Sequence, residues 1–124
     1  MDAKQVGERL VELCRKGGNL EAVSTLYDKD IVSVEAMSGP DMPAETRGID
    51  AVQKKNEWWL ENHGVHSVNI SGPFPHGDRF AVLYDYEITP KVGPKKDERV
   101  KMQEIAVYEV RDGKIVREEF FYAS

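Results

Sequence analysis

Asp112-Gly113 stands between two strongly alternating runs, Arg99 to Val110 and Ile115 to Tyr122, and it restricts the fold more than any other feature. Asp-Gly suits a two-residue hairpin, whose central positions must both tolerate positive φ. A tight turn there fixes the register, so that residues whose numbers sum to 225 face each other. One face then carries Gln103/Tyr122, Ile105/Phe120, Val107/Glu118 and Glu109/Val116. The opposite face carries Glu104/Phe121, Ala106/Glu119, Tyr108/Arg117 and Val110/Ile115. The first set has a continuous apolar centre and is the expected inner face. The second is amphipathic, and a half-apolar outer face predicts a partner, most simply a second copy of the chain.

The same period of two extends upstream. Phe80, Val82, Tyr84, Tyr86 and Ile88 alternate as a long strand, preceded by His66, Val68 and Ile70, with a turn expected over 73–78. Before Val65 the period is helical. Ala3, Val6, Leu10, Leu13 and Cys14 form one stripe, ended by Gly17-Gly18. Asn19 is the expected cap of a second helix through Tyr27, and Ile49 to His63 reads as a third, closed by Gly64. Val52, Asn56, Trp59, Leu60 and His63 share a face of that third helix. Asp30 to Ala36 is a short strand, and Met37 to Gly48 is a loop broken by Gly39-Pro40 and Pro43. Three helices and a run of antiparallel strands define an α+β fold, and with no repeat or linker a single domain over 1–124 is expected.

Composition removes several classes of function. A formal charge of −5 without a basic stripe argues against nucleic acid, whose binding rests on phosphate neutralisation. No apolar run approaches the roughly 20 residues a membrane helix needs, and Met1-Asp2-Ala3-Lys4 lacks a signal-peptide layout. A lone cysteine, Cys14, excludes an intrachain disulfide, so the expected location is the cytoplasm. Cys14 lies on the first helix's apolar stripe and reads as a small core residue. His63 and His66 match no zinc spacing, and neither a metal nor a cofactor is expected.

Three segments carry a resemblance. Leu20-Glu21-Ala22-Val23-Ser24-Thr25-Leu26-Tyr27-Asp28-Lys29-Asp30, Arg47-Gly48-Ile49-Asp50-Ala51-Val52 and Asp112-Gly113-Lys114-Ile115-Val116-Arg117-Glu118-Glu119-Phe120-Phe121-Tyr122, in that order and spacing, resemble the nuclear transport factor 2-like superfamily. The closing hairpin is similar to its SnoaL-like branch, which relates to polyketide cyclases and ketosteroid isomerases. The resemblance implies a cone: a strongly curved sheet whose end is closed by helices around a pocket. It implies no single reaction, because this fold hosts many.

Residue by residue, the resemblance places Glu35 where ketosteroid isomerases carry their carboxylate base. Their two oxyanion donors fall at Leu10 and near Ala106, which cannot donate from a side chain, so ketosteroid isomerase activity itself is not expected. Glu118 falls where SnoaL-like proteins place a polar catalytic or ligand-contacting group, while Phe120 is apolar where cyclases often have Asp. The alternative for Glu118 is an ion pair at a dimer seam. Tyr27, Trp59, His66, Tyr84, Tyr86, Ile105, Val107, Phe120 and Tyr122 are the expected pocket wall; for the tyrosines and His66 the alternative is ordinary core packing. The expected ligand is a small, largely apolar molecule. Three functions remain open: a cofactor-independent isomerase, cyclase or lyase using Glu35 and Glu118, a non-catalytic binding module, and a dimeric interaction domain with Trp59, Phe80 and Phe120 filling the cavity.

Overall fold

In the computed structural model, which describes residues 1–37 and 43–122, three helices pack against one six-stranded sheet. The helices are α1 (Ala3–Arg15), α2 (Asn19–Leu26) and α3 (Ile49–Glu61). The strands are β1 (Tyr27–Val34), β2 (Glu45–Arg47), β3 (His63–His76), β4 (Arg79–Pro90), β5 (Val100–Arg111) and β6 (Lys114–Phe121). Asp2 starts α1 with a reciprocal capping box, its Oδ1 accepting from the Gln5 N–H at 2.9 Å while Gln5 Oε1 accepts from the Asp2 N–H at 3.0 Å. The cap of α2 is Gly18 rather than Asn19, and α3 ends at Glu61 with Asn62 as its C-cap, short of the expected His63.

The strand order is β2-β1-β6-β5-β4-β3, and the sheet is mixed: β1 runs parallel to β6 while every other pair is antiparallel. It is strongly curved rather than closed, and the helices occupy its concave side, the α+β cone expected from the sequence. Strand boundaries differ from expectation too: β1 begins at Tyr27 rather than Asp30 and ends at Val34 rather than Ala36. Residues 45–47 of the expected loop form β2, whereas Gly39-Pro40 lie outside the described residues. β3 continues through Pro73 and Pro75, which an edge strand tolerates because one side of its ladder is unpaired. The β3–β4 turn is therefore only Gly77-Asp78, with Gly77 at φ 62°.

The hairpin at Asp112-Gly113 forms as expected, with φ of 51° and 77° at the two positions, and Val110 faces Ile115. One step further the register slips. Glu109 faces Arg117, Tyr108 faces Glu118, Ala106 faces Phe120 and Ile105 faces Phe121, so Val116 is an extra, bulged residue. The reason lies in the burial pattern. Ile115 and Glu118 are both buried on the inner side, and an unbroken period of two would put them on opposite faces. Past the bulge Glu118, Phe120 and, just beyond β6, Tyr122 face inward as expected, but Ile115 and Val110, expected on the opposite face, are inside as well, and β5 is reversed. Glu104, Ala106 and Tyr108 face in. Ile105, 47% exposed, and Val107 face out, which corrects their expected place in the pocket floor.

The core lies between α1, α2 and the inner face of the sheet: Val6, Leu10, Val23, Ile31, Phe80, Val82 and Tyr108 are all essentially inaccessible. Gly7 lets α1 approach the sheet closely, since a Cβ there would lie 2.8 Å from Pro73 Cβ and 3.1 Å from the Phe80 ring. No helix among the described residues is long and apolar enough to cross a membrane.

Candidate functional site

The concave side holds a cavity of about 260 Å³ between α1, α2, α3 and strands β4 to β6. Its wall includes Leu10, Cys14, Val23, Trp58, Trp59, Leu60, Met102 and Phe120, with five tyrosines (Tyr27, Tyr84, Tyr86, Tyr108 and Tyr122). Of the residues expected there, Tyr27, Glu35, Trp59, Tyr84, Tyr86, Glu118, Phe120 and Tyr122 line it. Ile105 and Val107 do not, owing to the bulge. Nor does His66, the extra residue where the β3–β4 register shifts between Val65 and Ser67. It is exposed and bonds Thr89 Oγ1 at 2.7 Å. Phe80, expected as a possible filler, is buried in the core instead, stacked on Tyr108 at 4.8 Å.

Polar groups meet at one side of this apolar space. Alternation along β1 turns Ile31, Ser33 and then Glu35 inward, and the parallel pairing sets Ser33 directly opposite Glu118. Glu118 is 1% exposed, with Tyr27 Oη donating to one carboxyl oxygen and Ser33 Oγ donating to the other at 2.8 Å. Lys55 Nζ donates to Ser33 Oγ at 2.6 Å and to Glu35 Oε1 at 2.8 Å, and Tyr122 Oη donates to Glu35 Oε2 at 3.0 Å. The result is a continuous relay, Tyr27–Glu118–Ser33–Lys55–Glu35–Tyr122. Lys55 Nζ also lies 5.4 Å from the Phe120 ring centroid, a cation–π contact beside the ion pair.

The electrostatics follow from burial. Removal from water pushes the Glu118 carboxyl above its ordinary range, opposed by the Tyr27 bond and the Lys55 charge. Glu104 faces the cavity opposite Tyr84, and burial, then Glu35 and Glu118, push it up to about 7. Burial and the Glu35 charge raise Tyr122 to about 12, and burial raises Cys14 to about 11, leaving a thiol rather than a nucleophilic thiolate. A second hydroxyl pair, Tyr84 and Tyr108, meets at 2.6 Å deeper in the wall. At the α3 end, His63 stacks on Trp59 with centroids 4.4 Å apart and its Nδ1 lies 2.8 Å from the Trp59 carbonyl.

Sequence reasoning missed Lys55, Ser33, Glu104 and Tyr108. Lys55 carried a readable signal: it lies three residues after Val52 and four before Trp59, on the same helical face. Ser33 likewise alternates with Ile31 and Glu35. Glu104 and Tyr108 lacked one, because the bulge that turns them inward depends on tertiary packing.

A carboxylate pair joined through one ammonium, beside free carboxyl and phenol groups in an apolar cavity, has the parts for binding and for proton transfer. Comparisons with known proteins agree with the architecture. A SnoaL-like domain sequence model matches residues 1–122. A candidate SnoaL-like polyketide cyclase from Mesorhizobium loti is 38% identical, with 98% of this chain and 100% of that chain aligned and a TM-score of 0.90. A nuclear transport factor 2-like protein from Burkholderia thailandensis is 18% identical (99% and 92% covered, TM-score 0.79). A candidate polyketide cyclase from Pseudomonas putida is 13% identical (99% and 92% covered, TM-score 0.73). At those two identities the likeness is of fold alone. No curated protein matches the sequence. By its sequence match over nearly the full length and by its fold, the chain belongs to the SnoaL-like domain family.

Proposed function

We propose that the cavity binds a small, largely apolar molecule and that its carboxyl groups perform cofactor-independent acid–base chemistry on it, of isomerase, cyclase or lyase type. The relay through Lys55 carries this reading. Structural ion pairs do not need an aromatic-lined cavity beside them, whereas proton transfer in a partly dry site does. Glu35, held at the cavity wall by Lys55 and Tyr122, is the group to take a proton from carbon. Lys55 spends two of its three N–H groups on Ser33 and Glu35, so its third is the donor for charge developing on a substrate oxygen, while Tyr122, whose one O–H goes to Glu35, orients the base. Glu118, enclosed and of raised pKa, is the reserve acid that returns a proton to the ligand through Tyr27, and the proton taken by Glu35 reloads it through Lys55 and Ser33. Ketosteroid isomerisation proper is not proposed, since Leu10 lines the wall where its tyrosine donor is expected and Ala106 is buried where its acid is.

The test needs no known product. Small cyclic ketones and lactones are screened for a rise in melting temperature, and those that bind are followed by NMR in D2O for exchange of the hydrogen next to the carbonyl. Exchange that is catalysed by the protein and lost in Glu35→Gln supports the enzyme. Melting-temperature rises that survive Glu35→Gln, with no exchange in either protein, favour a binding module instead.

The outer sheet face supports a second part of the reading, a homodimer. Ile105 and Phe121 are cross-strand neighbours, 47% and 48% exposed, and Val107 lies beside them. A cytoplasmic setting is proposed with it, in keeping with a single, buried cysteine.

A further inference from the structure

Carboxyl groups outnumber ammonium groups around the cavity. Three carboxyl groups line it, Glu35, Glu104 and Glu118, against one ammonium, Lys55. Lys55 is already committed to Glu35 and Ser33. Glu118 is enclosed, its two oxygens occupied by Tyr27 and Ser33. Glu104 differs from both: it lines the cavity yet has no ion pair or hydrogen bond to a side chain among the described residues. The titratable groups that share the cavity wall with it are Tyr84 and Tyr86 on β4, Tyr108 on its own strand, Glu118 on β6 and Tyr122 just beyond it, Tyr27 on β1 and Glu35 after it, Lys55 on α3 and Cys14 on α1. His63, the remaining basic group in the wall, stacks on Trp59.

Ligands of different charge meet this arrangement differently. An anion meets three carboxyl groups and an ammonium with its partners already in place. A neutral ligand leaves Glu104 without a counter-charge in an apolar wall, at a desolvation cost if it stays ionised. A cation supplies the missing partner, and the Trp59, Tyr84 and Tyr86 rings can cover its alkyl groups and attract its charge. We infer that the ligand is a small organic cation, a protonated or quaternary amine on a largely apolar body, with Glu104 as its counter-ion. This rests on the cavity being a binding site and adds the charge of what binds.

A linked proton follows. With Glu104 pushed up to about 7, the empty site holds this carboxyl near half protonation at neutral pH, and a bound cation expels the proton. Cation affinity therefore rises with pH through this range and levels off above it. The expected gain is about tenfold from about pH 6 to about pH 8.

The experiment compares choline with its uncharged carbon isostere, 3,3-dimethylbutan-1-ol, by calorimetry on the full chain. Titrations in buffers of different ionisation enthalpy count the protons released. The expected result is preferential binding of choline by at least about tenfold at about pH 8, with proton release at about pH 6 for choline alone. Glu104→Gln should abolish both the preference and the release, and Glu104→Asp should retain the preference. Equal binding of the two probes overturns the inference while leaving the cavity a binding site. So does a choline preference or proton release unchanged in Glu104→Gln, which would trace to another carboxyl group of the wall, Glu35 or Glu118. Binding of neither probe overturns the inference, and if the ketones and lactones also fail to bind, the binding reading falls with it. Should Glu104→Gln fail to fold, the wild-type comparison of the two probes across pH decides.

Discussion

Lys55 Nζ lies 2.8 Å from Glu35 Oε1 and reaches Ser33 Oγ, so one ammonium on α3 ties the end of β1 to the buried carboxyl of β6. Lys55→Met keeps the length of the side chain and removes the charge. Glu35 and Lys55 retain 17% and 19% of their side-chain exposure, so the loss is smaller than for a fully buried pair. The expected destabilisation is about 1–3 kcal/mol by urea unfolding. A change within experimental error would mean that the pair contributes nothing to the fold.

Glu104 gives a pH dependence whose sign is fixed. Its folded pKa, about 7, lies above the unfolded value, so its contribution is most favourable below the unfolded pKa and is lost as pH rises through the folded one. The loss is on the order of 2 kcal/mol after allowing for its partial contact with solvent. Glu104→Gln should therefore match the parent at about pH 4, and become the more stable protein by about pH 8. Melting curves across this range, without ligand, check it. A stability difference independent of pH would show that Glu104 titrates normally.

Gly7 marks the closest approach of α1 to the sheet. Alanine there gains up to about 1 kcal/mol of helix propensity, but its Cβ would overlap Pro73 Cβ and crowd Phe80. Pro73 is backbone-locked and Phe80 is 1% exposed, so neither yields easily. Gly7→Ala is expected to lower stability by about 1–2 kcal/mol, seen as a fall in melting temperature. A rise would show that α1 shifts outward at little cost.

The proposed dimer is tested at Ile105 and Phe121. Sedimentation velocity at micromolar concentration should show two copies for the parent chain and one for Phe121→Glu, with the melting temperature of the variant depending less on concentration. A monomeric parent removes the homodimer.

The sequence and the structure part company at particular residues. Helical stripes, the period of two and the Asp112-Gly113 turn were all legible because each is local: a residue's side of its element follows from its neighbours along the chain. Glu118, Phe120 and Tyr122 were placed inward by that logic, Glu35 by the family resemblance, and all four line the cavity. Glu104, Ile105, Val107 and Tyr108 were assigned to the wrong sides because a single unpaired residue at Val116 resets the parity of β5 relative to β6. Nothing in Ile115-Val116-Arg117-Glu118 taken alone distinguishes a bulge from a regular strand. What decides it is Ile115 filling the core below the hairpin while Ser33 and Tyr27 claim Glu118, contacts more than eighty residues away in sequence.

That bulge also shows how a cavity of this kind can change its chemistry between relatives. Removing one residue near Val116, or adding a compensating one on β5, would exchange Glu104, Ala106 and Tyr108 for Ile105 and Val107 at the cavity wall, with strand order kept and composition nearly so. A polar, acid-bearing wall would become an aliphatic one in one step. Substitution reaches the same end only through several separate changes. Length variation in the last hairpin is therefore the place to look when members of this family differ in what they accept.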